Sequence, residues 1–585
     1  MAKRGHGYPQ VEPRAGDLMD RRVLRVPGSA SVGRALDAAR AAGARVVADS
    51  RLAARYQDLE RAAAWQLGRW RWIDIARAGL PSVAVGAGEI SVRRLLRDGA
   101  AMVLVRDRGR AVGVVEPSPR TPGSPGASIA ARLDRVDGPE GEARLWLLRT
   151  AGKLAEAQGQ AVHAVGGFVR DLLLARGAAG VPDLDLVVEG DGIAFGRRLA
   201  EETGGHLVVH AAFGTASLEG GTTPDATRIG RVDIATARRE RYGSPGALPD
   251  VSPAGIDEDL GRRDFSINAM SVALTPSAWG RLRDPWGGQR DLAARRLRVL
   301  DPLSFVEDPT RIWRGARYAA RLGFAPDAEF RRALVLALKA GSYPALSGQR
   351  LHAELELVME EPDPWRTLGL LLDWGALRVW DPAYRVRHWG RGRLGSHGRV
   401  GSHGRVGVRS RLAAARRLAT WAHGAGVALD AGGLALVALL VDQRQPTAER
   451  CLRRLNVEGI EAARVETAAV RSLARRIEAS GRWRPSQVAE RLRPVRETTL
   501  LGAWLCGGRR ARGRIEWFLV QGRSTRPLSS GDDVVAAGVA RGPRVAQVLG
   551  LLRDMRLDGR VRTKEDERAA VADWTLALTR KGEFR

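Results

Sequence analysis

The chain has 585 residues, of which 44% are hydrophobic and 27% charged, a composition typical of a globular protein with several cores. No apolar run approaches the ~18 residues that span a bilayer, and the N-terminus lacks the apolar segment of a secretory signal. These features exclude a membrane protein and a secreted one. The two cysteines, Cys451 and Cys506, are far apart and indicate neither a disulfide framework nor a metal site. We therefore expect a cytoplasmic protein.

The chain is strongly basic, with a formal net charge of +28, and most of the excess lies after residue 370. Such a charge is typical of proteins that bind polyanions. Arginine supplies nearly all of the basic side chains, so the codon bias of a GC-rich genome could account for part of the excess. The concentration of charge in the C-terminal third favours contact with RNA there.

The N-terminal part alternates apolar strands with helices. Residues 1–14 are expected to be disordered, and residues 15–118 carry a weak internal repeat whose second copy is 89–117. Buried strands are predicted at 44–49 and 100–105, and helices at 31–43 and 56–68. This pattern resembles a pair of CBS modules, so the prediction for this region is an α/β CBS-like pair.

The rest of the chain divides by composition. Residues 119–141 form a linker that is rich in proline, glycine and serine. An α/β head follows at 142–300, then a helical neck at 301–365. The remainder, 366–585, is predicted to be a helical RNA-binding body and tail, which makes the whole chain a multidomain α/β plus all-α protein.

A low-complexity insertion at 386–410 interrupts the helical part. The sequence GSHGRV occurs at 395–400 and again at 401–406. A flexible arm that contacts RNA is one interpretation. A recent tandem duplication in a tolerant loop is the other, and we favour it because the cost of loop closure grows slowly with length.

The segment 161–190 predicts a strand, a Gly-Gly turn, a helix and a second strand. Gly166 and Gly167 have no Cβ, so a phosphate can approach the backbone closely. The N–H groups of the following helix point to the same place, and Arg170 adds a planar cation. The pattern predicts a phosphate-binding turn.

Two aspartates lie two positions apart on the second strand. Asp183 and Asp185 therefore face the same side of it. Adjacent carboxylates repel each other unless a cation lies between them, and hard oxygen ligands suit Mg²⁺. Ordinary acids at an exposed strand end are the alternative, but the apolar residues that flank the pair indicate a buried strand.

A third acid, Asp233, belongs to the likely strand RVDIA. Three carboxylates on neighbouring strands can hold two Mg²⁺ ions for in-line phosphoryl transfer. Asp183, Asp185 and Asp233 are therefore the predicted catalytic and metal-binding residues. Asp233 would complete the first metal site and help to activate a 3′ hydroxyl.

Six motifs in a fixed order now resemble the class II tRNA nucleotidyltransferase and poly(A) polymerase family over roughly residues 142–380. They are GGFVRD (166–171), DLD (183–185), RVDIATARRE (231–240), PGALPDV (245–251), DLGRRDFSINAM (259–270) and EDPTRIWRGARY (307–318). The resemblance implies a polymerase-β-like nucleotidyltransferase head that precedes a helical neck, body and tail.

The resemblance also assigns roles to matching positions. Asp308 and Arg311 would hydrogen-bond to the Watson–Crick edge of the incoming base, while Arg314 and Arg317 would steer nucleotide and phosphate from one helix face. The full set that would bind the nucleotide is Gly166, Gly167, Arg170, Arg263, Asp264, Asn268, Asp308, Arg311, Arg314 and Arg317.

The residue chemistry agrees with base recognition by the neck. Asp308, Arg311, Arg314 and Arg317 are expected to lie on one stripe of a helix, which mixes an acceptor with donors. A carboxylate can accept and a guanidinium can donate hydrogen bonds, so Asp308 and Arg311 can read a base edge without a template. An ion pair on a solvated helix face is the alternative. The motif RRDFSINA upstream makes base recognition the favoured interpretation.

The family includes enzymes that add CCA, CC alone, A alone or poly(A). The segment between Arg239 and Asp259 resembles the flexible loop of members that incorporate A, which CC-only members have shortened. We therefore expect transfer of AMP from ATP to the 3′ end of tRNA, with CTP as an open second substrate. Recognition of tRNA would use shape and phosphate contacts. A poly(A) polymerase acting on general RNA 3′ ends is the close alternative, and an RNA-binding protein with a dead transferase site is the distant one.

The closest resemblance is to A-adding tRNA nucleotidyltransferases that carry CBS modules. Such enzymes often have a DHH phosphoesterase domain before those modules, and this sequence starts at the CBS-like region. The CBS-like pair could bind an adenine nucleotide, but its degenerate glycine and acid pattern favours a role in packing.

Overall fold

The structure is a computed structural model that describes residues 13–117, 129–135, 138–174, 184–386, 408–455 and 467–580. The chain divides into two compact units, Met1–Ser347 and Gly348–Arg585. Most of the N-terminal segment that was predicted to be disordered lies outside the described residues, and so do both GSHGRV repeats. Pro13 and Arg14 are described, and the Pro13 carbonyl accepts a 2.9 Å hydrogen bond from the Glu89 amide.

The N-terminal module, residues 13–117, consists of two halves with the same β-α-β-β order. In each half the first strand pairs in parallel with the second, and the second pairs antiparallel with the third. The elements are α1 (Ala15–Leu18), β1 (Val23–Arg25), α2 (Val32–Ala41), β2 (Val46–Asp49), β3 (Leu52–Arg55), α3 (Tyr56–Ala64), α4 (Trp72–Ile75), β4 (Ser82–Ala84), α5 (Glu89–Arg97), β5 (Val103–Asp107) and β6 (Arg110–Val115). The internal repeat is thus confirmed, while its assignment to the CBS family remains a prediction.

One apolar core joins the two halves of the module. Val46 from the first half and Met102, Leu104 and Val114 from the second are all almost completely buried in it. The β-branched and long apolar side chains at alternate positions of short strands produce this packing. The halves therefore stabilise each other rather than folding as separate layers.

The predicted linker contains a packed helical turn. Residues 118–128 and 136–137 lie outside the described residues, but α6 (Ala130–Leu133) is present between them. Ile129 and Leu133, four positions apart on one helix face, are both buried. The Ile129 amide donates to the Gly280 carbonyl at 2.9 Å, which fixes this turn against the head.

The head is built on a seven-stranded mixed sheet with the order β15-β14-β7-β8-β11-β10-β9. A separate hairpin, β12-β13, forms in the segment predicted to be a flexible loop. The elements are α7 (Gly138–Ala157), β7 (Ala161–Val165), α8 (Gly167–Leu173), β8 (Leu184–Glu189), α9 (Gly192–Thr203), β9 (His206–His210), β10 (Thr215–Glu219), β11 (Val232–Thr236), β12 (Arg238–Arg241), β13 (Asp250–Pro253), α10 (Ile256–Gly261), β14 (Ser271–Ala273), β15 (Leu282–Arg283) and α11 (Gly288–Ala293).

Helix α7 approaches the head so closely that a side chain at Gly152 has no room. A Cβ there would lie 1.9 Å from the Leu274 carbonyl oxygen. We expect Gly152→Ala to lower the free energy of unfolding by about 1–3 kcal/mol, because overpacking against backbone forces α7 away. Thermal unfolding of the variant measures this loss.

The matched control for that prediction is Gly369→Ala. Gly369 is a helical glycine with nothing within 4 Å of a built Cβ. Its replacement should leave the melting temperature unchanged or raise it slightly, since alanine favours helix by up to about 1 kcal/mol. Equal melting temperatures for the two variants would contradict the close approach of α7.

A helical neck completes the first unit. Its elements are β16 (Arg296–Leu297), α12 (Ser304–Glu307), α13 (Thr310–Leu322), β17 (Ala325–Pro326) and α14 (Ala328–Ala340). Phe265 from the head stacks on Phe330 with ring centroids 5.9 Å apart and meets Tyr318 edge to face at 5.8 Å. This aromatic cluster fixes the position of the neck helices relative to the RRDF segment.

The described residues of the second unit form helices and no strands, which confirms the helical part of the prediction for 366–585. RNA binding by this region remains a prediction. Helix α18 is apolar on all sides and its central residues are buried. A π-helical turn at Phe518–Gly522 follows α23. The helices are α15 (Gly348–Met359), α16 (Pro364–Asp373), α17 (Val408–Gly424), α18 (Ala431–Leu440), α19 (Gln445–Arg454), α20 (Thr467–Ala479), α21 (Pro485–Leu492), α22 (Glu497–Cys506), α23 (Arg509–Trp517), α24 (Gly531–Ala536), α25 (Pro543–Leu557) and α26 (Lys564–Arg580).

Candidate active site

Strand pairing brings two of the predicted acids together. Strands β8 and β11 run parallel with Asp185 directly opposite Asp233. Paired residues on neighbouring strands project to the same face of a sheet. The two carboxylates therefore share one face, as the sequence predicts. Asp183 lies outside the described residues, so its place beside them remains a prediction.

The Asp233 carboxylate already has polar partners. The Ser217 hydroxyl donates to its Oδ1 at 2.5 Å, and the Arg231 Nε donates to the same oxygen at 3.1 Å. The Asp233 side chain is 45% exposed. It is therefore held in one orientation while it stays open to solvent and to a ligand.

The predicted metal ligands are carboxylates, which are suitable ligands for a divalent ion. The structure describes two of the three predicted aspartates. Within the described ranges no three His, Cys, Asp or Glu side chains form a group that could hold a metal. Two of the three predicted ligands, Asp185 and Asp233, are adjacent there, and both offer the hard oxygen donors that Mg²⁺ prefers. Completion of the metal site depends on Asp183.

The Gly-Gly turn lies against this acidic face. Gly166 has a φ of +68°, which favours glycine, and it precedes α8. A Cβ on Gly166 would lie 3.3 Å from the Asp185 Oδ2 and 3.0 Å from the Arg263 Nη1. The turn, the carboxylate and the arginine therefore meet at one point, although they come from three separate motifs.

The Arg170 side chain does not reach into a cleft. Its side chain is buried, and it donates two hydrogen bonds of 2.9 and 2.8 Å to Asp171 and one of 2.9 Å to the Asn268 side-chain oxygen. Its guanidinium also lies 5.2 Å from the centre of the Tyr318 ring. This arrangement joins the Gly-Gly helix to the RRDFSINA segment, so a contact of Arg170 with nucleotide remains a prediction.

The RRDFSINA segment is held by buried carboxylates. Arg262 and Arg263 donate to opposite oxygens of the fully buried Asp259. Asp264 accepts hydrogen bonds from the backbone amide of Phe265 and from the side-chain amide of Asn268, and it forms an ion pair with Arg314 at 2.9 Å. Burial alone would raise the pKa of Asp264, but Arg314 and the Asn268 amide outweigh it, and the pKa is lowered. Asp264 is therefore charged at neutral pH.

The base-recognition motif is not one continuous helical stripe. Asp308 has an extended backbone between α12 and α13, and helix α13 begins only at Thr310. Pro309 explains the break, because a proline disfavours helical conformation in the residue before it. The expectation that Asp308 lies on the same helix face as Arg311, Arg314 and Arg317 is therefore wrong.

The carboxylate of Asp308 and the guanidinium of Arg311 are each fixed. Asp308 accepts from the Thr310 amide at 3.1 Å and from its hydroxyl at 2.7 Å. Arg311 is buried and donates to the Ser304 hydroxyl, the Arg262 carbonyl and the Tyr242 hydroxyl at 2.8, 2.9 and 3.3 Å. Such fixed groups can discriminate between bases, because their reorganisation is costly.

The remaining arginines of the motif lie further along α13. Arg314 is 42% exposed and reaches Asp264, which links the motif to the RRDF segment. Arg317 is half-buried one turn later. Both stay available as predicted nucleotide-steering residues.

Several residues of this network escape sequence reasoning. Ser217 lies on β10 in a segment without a motif. Glu307 pairs with Arg311 at 3.6 Å. Tyr242 and Glu240 lie within the RRERYG stretch, where a buried glutamate between arginines was the available signal. The partners of Ser217, Glu240 and Tyr242 lie 16, 22 and 69 residues away, which is why local patterns do not reveal these contacts. Glu307 and Arg311 have i,i+4 spacing, so that pair was within reach of sequence reasoning.

Known proteins share this architecture. The sequence model of the poly A polymerase head domain matches residues 162–298. An A-adding tRNA nucleotidyltransferase from Geobacter sulfurreducens is 33% identical over 445 residues, which is 72% of this chain and 46% of that protein. The chain spans about half the length of the curated relatives it matches.

Solved structures extend the likeness over both units. A CCA-adding enzyme in an apo form superposes with a TM-score of 0.61 at 28% identity, covering 77% of this chain and 98% of that one. The Thermotoga maritima CCA-adding enzyme complexed with tRNA gives a TM-score of 0.57 at 25% identity, with the same coverage of each chain. Among the described residues, no helix has the length and apolar character to span a membrane.

The six ordered motifs, the paired aspartates beside the glycine turn and these relatives agree with one another. Residues 162–298 match the poly A polymerase head domain, and the chain is similar to A-adding and CCA-adding tRNA nucleotidyltransferases.

Proposed function

We propose that the protein adds AMP from ATP to the 3′ end of tRNA without a template and releases pyrophosphate. The observation that carries this proposal is the in-register pairing of Asp185 with Asp233 beside the Gly166 turn. The name of the A-adding relative supports AMP as the added nucleotide, and the solved complex with tRNA supports tRNA as the acceptor. In a broader form of the proposal CTP is a second substrate.

The reaction is an in-line displacement at phosphorus. The 3′-hydroxyl oxygen of tRNA forms a bond to the α-phosphorus of ATP as the bond to the pyrophosphate oxygen breaks. Nucleotidyltransferases of this family generally use divalent metal ions. Two Mg²⁺ ions held by Asp183, Asp185 and Asp233 would, when bound, favour ionisation of the hydroxyl and neutralise charge on the phosphates.

The protein groups around the aspartates position the triphosphate. Gly166 has no side chain at the point where Asp185 and Arg263 converge, so phosphate oxygens can approach there. Arg263 uses Nε and Nη2 on Asp259, which leaves its Nη1 directed at the turn. A guanidinium fixed in this way can bind phosphate with little loss of entropy.

The neck would select the base. Arg311 and Asp308 provide a fixed donor and a fixed acceptor on either side of Pro309, and the hydrogen bonds of Arg311 set its plane. Arg314, tied to Asp264, would carry the geometry of the base site to the phosphate site. No nucleic-acid template is needed in this arrangement, because protein groups supply the hydrogen-bonding pattern.

The decisive experiment supplies each nucleoside triphosphate separately to tRNAs that lack A, CA or CCA. Addition of a single A to tRNA ending in CC supports the proposal. Long tails on general RNA would instead support the poly(A) polymerase alternative, which the name of the matching head domain keeps open. Binding of tRNA without any transfer would support the dead-site alternative.

The N-terminal module raises a separate proposal. Its two repeated halves could hold an adenine nucleotide, as CBS-like pairs do, although packing is the role we favour. Equilibrium binding of AMP to the full chain tests this, and binding that survives loss of the transferase site would support a second adenine site.

Tyr242 provides a prediction for the base site. We expect Tyr242→Phe to raise the KM for ATP by up to about tenfold, because it removes hydrogen bonds to Arg311 and Glu240. Steady-state kinetics of AMP addition measure this change. Tyr343→Phe is the matched control: its buried hydroxyl donates to the Ala337 carbonyl at 2.7 Å, away from Arg311. An equal KM change in both variants would contradict a local role of Tyr242.

A further inference from the structure

Arg61 in the N-terminal module reaches the neck at the start of the base-recognition motif. It lies on α3, and its guanidinium contacts Asp58 at 2.8 Å and Asp301 at 3.1 Å. It also forms an ion pair with Glu307, the residue just before Asp308. The module is therefore bonded to the EDPTR motif itself and not only to the surface of the neck.

Glu307 connects Arg61 to the base-reading arginine. One oxygen of this buried carboxylate takes the Arg61 contact, and the other lies 3.6 Å from the Arg311 Nη1. Glu307 is only 8% exposed, so both ion pairs are shielded from solvent. Arg61 and Arg311 are thus linked through a single side chain.

The neighbouring charges make Glu307 the residue that is most affected when Arg61 is removed. Asp301 also pairs with Arg77 at 3.3 Å, so it keeps a cation when Arg61 is removed. Glu307 would keep Arg311 as its ion-pair partner within the described residues. Burial raises the pKa of Glu307 to about 7 against the opposing effect of Arg61. Loss of Arg61 would favour the neutral carboxyl, which holds Arg311 less firmly.

Other contacts hold the module in place without touching Glu307. The Arg77 Nη1 donates to the Leu300 carbonyl at 2.7 Å, and the Ala78 amide donates to Glu329 at 2.8 Å. Arg332 donates to the carbonyls of Ile73 and Ala76. Docking of the module therefore does not depend on Arg61 alone.

We propose that Arg61 is a positioning residue for nucleotide selection, which acts through Glu307 to fix Arg311 in the plane that reads the incoming base. This inference rests on the proposed function. It gives the N-terminal module a part in choosing the nucleotide, independent of whether the module binds a ligand.

The test compares Arg61→Ala, Arg61→Lys and Lys339→Ala in the full chain. Lys339 forms an exposed pair with Asp74 at 3.2 Å on the same boundary between module and neck, and it does not touch Glu307. The readouts are kcat and KM for ATP and for CTP on tRNA ending in CC, the equilibrium affinity for each nucleotide, and the melting temperature.

We expect Arg61→Ala to raise the KM and the dissociation constant of ATP about tenfold and to narrow the preference for ATP over CTP by a similar factor. Arg61→Lys, which keeps the charge, should recover part of both. Lys339→Ala should match the unaltered protein. The melting temperature of Arg61→Ala should stay close enough to the unaltered value for the protein to be folded at the assay temperature.

Two results would overturn the proposal. One is unchanged ATP affinity and unchanged preference in folded Arg61→Ala. The other is an equal change in Lys339→Ala, which would make undocking of the module the cause. If the unaltered protein binds ATP but transfers nothing, the proposed function fails while the binding comparison still decides the role of Arg61. If it binds neither nucleotide, both proposals fail.

Discussion

Asp185→Asn should reduce AMP addition by roughly three orders of magnitude while tRNA binding stays within about twofold, since several kcal/mol of transition-state stabilisation depend on its charge. Asparagine has the same shape, so the β8–β11 pairing opposite Asp233 should persist. What is lost is the anionic oxygen that a divalent ion requires. Single-turnover incorporation of labelled AMP and a gel-shift assay with the same tRNA separate the two effects.

Glu219→Gln is the matched control for that variant. Glu219 ends β10, two strands away from Asp185 in the same sheet, and its side chain is exposed. The same neutralisation at this position should leave the rate of addition unchanged. If Asp185→Asn kept more than a tenth of the normal rate, Asp185 would not hold the essential metal, and the assignment of all three aspartates would fall with it.

The acidic pair was predictable because it depends on short-range rules. Alternation along a strand places Asp185 on a defined face, and apolar neighbours mark the strand as buried. The parallel pairing of β8 with β11 was not predictable in this way, because α9, β9 and β10 lie between these two strands in sequence. The helices of the second unit were predictable for a similar reason, since apolar residues recur there at helical spacing.

The base site was less predictable because its geometry comes from distant partners. Arg170 is held by Asn268, 98 residues away in sequence, and Arg311 by the Arg262 carbonyl, 49 residues away. Arg61 and Glu307 are separated by 246 residues. No periodicity encodes such contacts. The helix break at Asp308 was different, because it could have been predicted from Pro309, which disfavours helix in the residue before it. The regular spacing of Arg311, Arg314 and Arg317 instead favoured a helix that extends back to Asp308.

The hairpin β12-β13 shows how sequence resemblance and the observed contacts combine. From its resemblance, this segment was expected to be the loop of members that incorporate A, but the resemblance did not reveal that the segment supports Arg311, a predicted base-binding residue. Glu240, on β12, accepts from Arg262 and from the Tyr242 hydroxyl, and Tyr242 in turn meets Arg311. A shortened loop would therefore remove a support of Arg311 as well as chain length, which gives a physical reason for loop length to affect nucleotide choice.

Gly166→Ala should lower kcat/KM for ATP by about ten- to a hundredfold and destabilise the fold by about 1–2 kcal/mol. The stability loss comes from a φ of +68°, which is unfavourable for alanine. The larger kinetic loss comes from the new methyl group, which would lie 3.0 Å from the Arg263 Nη1 and 3.3 Å from the Asp185 Oδ2. Those two groups would have to move apart at the point where we propose that the triphosphate binds, and such displacements at a reacting centre are costly.

Gly204→Ala separates the two causes. Gly204 has a φ of +64°, and nothing lies within 4 Å of a Cβ built there. It follows α9 in the same head with a ψ of 17°, in the left-handed helical region, so its alanine variant carries positive-φ strain without the contact. Gly166 has a ψ of −129°, which is less favourable for alanine, so Gly166→Ala should lose more stability in denaturant unfolding, and kcat/KM should fall only in Gly166→Ala. Equal kinetic losses would mean that strain alone disturbs the head, and the Gly166 turn would then not be the place where phosphate meets Asp185 and Arg263.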